Sequence, residues 1–99
     1  MQIYNITFIV EPSIEQAWAT HVDKELLPEL AKNVQQIDLL RVELEEGIEP
    51  IDGSTFSMQF YCREAEQLTW VKEIGHPLVL QKLYRTFPKD WVAFASRLE

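Results

Sequence analysis

Two short stretches decide what this chain can fold into. "IYNITFIV" at 3–10 and "TFSMQFYC" at 55–62 alternate apolar and polar side chains with a period of two. Successive side chains of a strand point to opposite faces. Tyr4, Ile6, Phe8 and Val10 therefore share one face of a strand, with Asn5 and Thr7 on the other. Phe56, Met58, Phe60 and Cys62 share one face of a second such strand, and Thr55, Ser57, Gln59 and Tyr61 the opposite one. A sheet that is apolar on one side needs another layer to cover that side.

The cover is legible between the strands. "EPS" at 11–13 halts the first strand, and "SIEQAWATHVDKELLPEL" at 13–30 follows. Ile14, Trp18, Val22, Leu26 and Leu30 form one helical stripe. Ser13 fits an N-cap, and Gln16 three residues on completes a capping box. Pro28 has no N–H to offer the carbonyl of Lys24, so a kink or loosening of the last turns is expected before a stop at Asn33. A second helix is expected from about Ala65, with Leu68, Val71, Ile74 and Leu78 as its seam. A kink or restart is expected at Gly75-His76-Pro77, because the residue before a proline is pushed out of the helical region.

Two further strands complete the order. In "IDLLRVELE", Leu40, Val42 and Leu44 are assigned to one face and Leu39, Arg41 and Glu43 to the other. In "DWVAFAS", Val92 and Phe94 are assigned to one face and Trp91, Ala93 and Ala95 to the other. The order β-α-β-β-α-β with right-handed crossovers predicts an α+β, ferredoxin-like sandwich, one domain over 1–99, with a four-stranded antiparallel sheet and both helices on one face. The opposite face is left open. It is expected to carry Asn5, Thr7, Leu39, Arg41, Ser57, Gln59, Tyr61, Trp91 and Ala93.

Charge and cysteine content narrow the function. Sixteen acidic residues against nine basic ones give a net charge of −7. Nucleic-acid binding draws its affinity from Lys and Arg on phosphates, so a nucleic-acid partner is not expected, nor is an anionic membrane. An RNA-binding fold shares this element order, but Ser57 and Gln59 stand beside Tyr61 where stacking aromatics and basic residues would be needed. One cysteine, Cys62, excludes an internal disulfide and a thiolate zinc site, and it suits a reducing compartment. No basic-then-apolar leader opens the chain, and no run approaches the ~20 apolar residues of a membrane span, so the cytoplasm is the expected location.

Few residues invite chemistry. His21 and Glu25 stand four apart on the first helix, where a carboxylate can orient an imidazole as a general base. The same spacing equally describes a surface pair at a helix edge, and that reading is favoured. His76, before Pro77, is the other imidazole, and the spacing of the two carries no metal signature. No metal or cofactor is expected. Cys62, on the apolar face of its strand, reads as a small hydrophobe. The acidic run Glu43, Glu45, Glu46, Glu49 and Asp52 lacks the spacing of a calcium loop and reads as solvated charge. Trp18 is expected to pack on the sheet and would line a cavity only if the kinked ends at Pro28 and Pro77 keep the helices apart; in an enzyme reading Trp18 and Phe56 would be the walls of the pocket. Tyr61 and Trp91, on the open face, are the expected interface residues.

The opening "IYNITFIVEPSIEQAW", the central "TFSMQFYC" and the closing "FPKDWVAFASRLE" resemble a family of small, uncharacterised bacterial proteins, a domain of unknown function related in fold to the dimeric α+β barrels. The resemblance covers nearly the whole chain. It implies a ferredoxin-like fold and pairing of two sheets across their open faces; it implies no activity, substrate or cofactor. Related barrel families include cofactor-independent oxygenases, haem-degrading enzymes and lactone isomerases. Some relatives are expected to carry "EHIP" where this chain has "ELLP" at 25–28, so Leu26 stands at the place of that His. Two functions follow as expectations. The favoured one is a non-catalytic binding or interaction module that dimerises through the open face, its small-molecule ligand unknown. The alternative is a small cofactor-independent oxygenase or isomerase with a cleft between helices and sheet, His21 and Glu25 acting as base.

Overall fold

The structure is a computed structural model and describes residues 1–42 and 53–98. The two alternating stretches form the central strands, β1 (Gln2–Val10) and β3 (Ser54–Cys62), paired antiparallel with Tyr4 opposite Phe60, Ile6 opposite Met58 and Phe8 opposite Phe56. The edges are β2 (Ile37–Val42) on β3 and β4 (Trp91–Leu98) on β1. The sheet order β2-β3-β1-β4 is the ferredoxin-like one, all antiparallel. Gly53, at φ +137°, lets the chain enter β3 where a Cβ would stand 2.6 Å from the Val10 carbonyl oxygen.

Both helices run through their prolines. The first consists of α1 (Glu15–His21), a π-helical turn (Val22–Leu26) and α2 (Leu27–Leu30). The second consists of α3 (Ala65–Trp70), a π-helical turn (Val71–Gly75) and α4 (His76–Thr86). In each, the residue before the proline bonds five residues back: Leu27 N–H to Val22 O, and His76 N–H to Val71 O. The expected breaks at Pro28 and Gly75-His76-Pro77 are thus single wide turns. A wide turn relieves the collision of a proline ring with the carbonyl four residues back, and the helix continues.

The π-turns also set which residues are buried. Ile14, Trp18, Val22, Leu26 and Leu30 recur every four residues. On a straight α-helix each such step overshoots a full turn by about 40°, so the stripe would wind about 160° around the axis. The wide turn takes up most of the excess, and Trp18, Val22, Leu26 and Leu30 are all buried. The second helix follows the same rule with Val71, Gly75, Val79 and Leu83 inward. The expected seam of Leu68, Val71, Ile74 and Leu78 assumed 3.6 residues per turn throughout. Of these only Val71 is fully buried, and Ile74 is 52% exposed.

Capping differs from expectation too. The second helix is closed by a capping box of Glu64 and Gln67. The first starts from a backbone turn, Ile14 N–H to Glu11 O at 3.1 Å, and no side chain caps it, so the Ser13–Gln16 box does not form.

The edge strands are turned over relative to the sequence reading. In β2, Ile37, Leu39 and Arg41 stand opposite Phe60, Met58 and Phe56 and so lie on the helix side, while Leu40 and Val42 are exposed on the open side. In β4, Trp91 and Ala93 stand opposite Val10 and Phe8, and Val92 and Phe94 point to the open side. Leu44, Glu43 and the acidic run through Asp52 lie outside the described residues.

Candidate functional site

Among the described residues, Trp18 and Phe56 pack into the core. Trp18 is fully buried, with its ring centre 5.0 Å from those of Phe8 and Phe56. The layer between helices and sheet is occupied by these rings with Leu26, Leu30, Met58 and Val79. The cleft between helices and sheet required by the enzyme reading is therefore filled at this place. The clefts near the first helix lie elsewhere. One, of about 220 Å³, runs between the two helices and is lined by His21, Glu25, Glu29, Lys82 and Arg85 among others. A shallower one follows the outer side of α1, and His21 and Glu25 line it as well.

The two members of that pair are not joined to each other. Glu25 is exposed, His21 lies with its ring edge-on to Phe87 at 5.8 Å, and no hydrogen bond joins the two among the described residues. The neighbouring charges neutralise each other: Lys82 bonds Glu29 across the cleft, which holds the Glu29 carboxyl below its ordinary range. Four charged groups of both signs, open to water, give a balanced surface instead of an activated nucleophile.

The remaining candidates are similarly engaged. His76 Nδ1 is hydrogen-bonded to the Tyr4 hydroxyl at 2.8 Å, and partial burial lowers the proton affinity of the ring. This pair ties the second helix to the sheet, and nothing in the spacing of positions 4 and 76 announced it. Cys62 is buried with its thiol pushed up by desolvation, the reverse of what a nucleophile needs. Among the described residues there is no group of three His, Cys, Asp or Glu that could hold a metal, and no helix long and apolar enough to cross a membrane.

The open sheet face carries the most unexplained surface. Tyr61 is on it, as expected. Trp91 is not: it is 5% exposed, packs at 4.4 Å on Tyr84 and 6.1 Å on Phe8, and donates its indole N–H to Phe87 O at 2.6 Å. Leu39 and Arg41 also leave the open face; the Arg41 guanidinium turns to the helix side, 3.2 Å from Glu15. In their place stand Leu40, Val42, Val92 and Phe94, all about half exposed, on the two outer strands. Between them the centre is polar and internally bonded. Ser57 donates to Asn5, Asn5 donates to Thr7 at 2.9 Å, and Tyr61 donates to Gln59 at 2.9 Å. Partial burial and the Asp38 carboxylate raise the Tyr61 hydroxyl above its ordinary value. The interface candidates that sequence reasoning missed, Leu40, Val42, Val92 and Phe94, fall on the helix side in the sequence reading because both edge strands carry apolar residues on both faces.

The model of the family described as "Domain of unknown function (DUF4286)" matches residues 1–99. The chain belongs to this family. No curated protein matches it. Solved structures with similar folds include protein Atu4242 from Agrobacterium tumefaciens, 13% identical with a TM-score of 0.61 over 100% of this chain and 92% of that one. An ethyl tert-butyl ether d (ethd) family protein from Bacillus halodurans is 16% identical, with a TM-score of 0.57 over 97% of both chains. A dimeric ferredoxin-like protein from an uncultured marine organism is 14% identical, with a TM-score of 0.51 over 98% of this chain and 91% of that one. At such identities the likeness carries the fold alone, and a fold of this kind hosts many functions. This member of DUF4286 thus has a ferredoxin-like sandwich and one sheet face that no described residue covers.

Proposed function

We propose that this DUF4286 chain is a non-catalytic interaction module that pairs with a second copy of itself through the open sheet face. The observation that carries the reading is the uncovered face itself. Its outer strands hold out Leu40, Val42, Val92 and Phe94, and Phe94 alone is 55% exposed. Apolar side chains gathered on one sheet face are more typical of an interface than of free surface. The polar centre supports the same reading. Asn5, Thr7, Ser57, Gln59 and Tyr61 bond one another, so covering them leaves fewer polar groups unpaired than an open polar surface would. The fold neighbour described as dimeric adds a precedent. A non-catalytic role agrees with the unjoined His21 and Glu25 and with the filled layer around Trp18 and Phe56.

Sedimentation equilibrium tests this. Wild-type protein should associate to a dimer as concentration rises, and Phe94→Glu should remain a monomer with an unchanged far-ultraviolet dichroism spectrum. A wild-type chain that stays monomeric at several hundred micromolar overturns the proposal.

A further inference from the structure

The wide turn of the first helix lines up more than its buried residues. Val22, Leu26 and Leu30 form an inward row. His21, Glu25 and Glu29 precede them by one residue each, so these three form a second row beside the first. That second row borders the other helix. At one end Lys82 bonds Glu29, and at the other the His21 ring stands edge-on to Phe87 at 5.8 Å. Numbering falls along one helix as it rises along the other, as antiparallel helices require. Glu25 lies midway between the two contacts on its helix, and Arg85 and Thr86 lie between Lys82 and Phe87 on theirs. The same stretch of cleft therefore takes Glu25 from one wall and Arg85 and Thr86 from the other, and the buried Leu26 adds an apolar lining.

The charges along this cleft are not all used. Lys82 and Glu29 neutralise each other. Glu25 and Arg85 are exposed, and neither has a side-chain hydrogen bond or ion pair among the described residues, although both line the same cleft of about 220 Å³. We propose that the cleft between the two helices binds a small zwitterion of the α-amino-acid class, its ammonium on Glu25 and its carboxylate on Arg85 and the Thr86 hydroxyl. Both helices lie on the side of the sheet away from the open face, so this site stands with or without the pairing proposed above.

Ligands of one charge fit less well. An anion on Arg85 would lie near the carboxylates of Glu25 and Glu29, and a cation on Glu25 would lie near Arg85 and Lys82; like charges oppose each arrangement. A molecule that carries both charges a short distance apart meets both needs. A guanidinium takes a carboxylate through two parallel N–H bonds, and an ammonium has three donors to offer a carboxylate. Size sets a further limit. Pockets for drug-sized ligands run to ~300–1,000 Å³. A cleft of 220 Å³ holds about seven waters at roughly 30 Å³ each, which suits a free amino acid and is too small for a nucleotide.

Titration followed by amide NMR tests the proposal. Each common L-amino acid is added singly to ¹⁵N-labelled wild type, with acetate and ethylammonium as probes that carry one charge only. At least one amino acid is expected to shift the signals of Glu25, Arg85 and Thr86 saturably at low millimolar concentration or below, and neither single-charge probe should do so. Glu25→Gln and Arg85→Gln should each weaken binding of that amino acid about tenfold or more, since each removes a charge-assisted hydrogen bond. Both variants should melt close to wild type, because both side chains are exposed. If no amino acid shifts these signals, the proposal falls. Acetate binding as well as the amino acid overturns the zwitterion and leaves a plain anion site. Binding that survives both glutamine variants overturns the placement between the helices.

Discussion

Trp91 and Phe94 lie three residues apart on one strand and on opposite faces of one sheet. Trp91 is 5% exposed and touches two other rings, whereas Phe94 is 55% exposed and faces away from the helices. Both are large aromatics, so hydrophobicity does not distinguish them. What does is the layer above. On the helix side, Trp91 fits beside Tyr84 and finds the Phe87 carbonyl for its N–H. On the other side the described residues supply no layer. The same strand thus holds one aromatic that the fold has used and one that it has left for something else, and the account takes the second to be the contact with another copy.

Substitutions on the two faces should separate accordingly. Trp18→Ala strikes the helix side hardest, with an expected loss of about 3–5 kcal/mol in chemical denaturation. Trp18→Phe should cost clearly less, because it keeps most of the ring contacts and removes an indole N–H that has no partner among the described residues. Trp91→Ala should cost about 3 kcal/mol by the same cavity argument. If it costs no more than a surface change, the helix side holds Trp91 no more firmly than the open side holds Phe94.

Gly75→Ala should cost about 1 kcal/mol. The new Cβ lands 2.8 Å from the Trp70 ring, an overpacking loss partly offset by better helix propensity. Trp70→Leu should remove most of that loss when combined with Gly75→Ala, a coupling that a double-mutant cycle measures. His76 should give an effect that depends on pH. The unfolded chain binds a proton there near the ordinary value of 6.5, while the half-buried, Tyr4-bonded ring binds it only at lower pH. The unfolded state then holds more protons in that window, so stability is full above 6.5 and falls as pH drops through the folded value. His76→Gln should flatten that slope in urea titrations from pH 7.5 to 5. Phe94→Ala is expected to be smallest, within about 0.5 kcal/mol in dilute protein, where no second copy covers it.

The sequence was most readable where one set of side chains was polar. In β1 and β3 the alternation of Tyr4-Asn5-Ile6-Thr7 and Phe56-Ser57-Met58-Gln59 leaves only one way to face the helices, and the ferredoxin-like order follows from it. The edge strands were misread because "DLLRV" and "WVAFA" are apolar on both faces, so a period of two cannot say which set is inside. Register and bulk against the helices settle it, and neither is local information. In the second helix, Ile74 was misplaced because a straight 3.6-residue period was assumed. The repeat Trp18-Val22-Leu26-Leu30 held a clue to the wide turn: spacing of four, sustained, with a proline two residues after Leu26. Val71-Gly75-Val79-Leu83 repeats the pattern, and there Gly75 hid it, since a glycine does not read as core. The pair His21–Glu25 looked chemical by spacing alone; charge balance with Lys82 and Glu29 is visible only once the helices are side by side.

The most direct test of the central claim is the melting temperature of wild type and Phe94→Ser at two protein concentrations about a hundredfold apart, since association makes melting concentration-dependent by mass action. The account predicts that wild type melts several degrees higher at the greater concentration and that Phe94→Ser melts at the same temperature at both. A wild-type melting temperature that ignores concentration would contradict pairing through the open face.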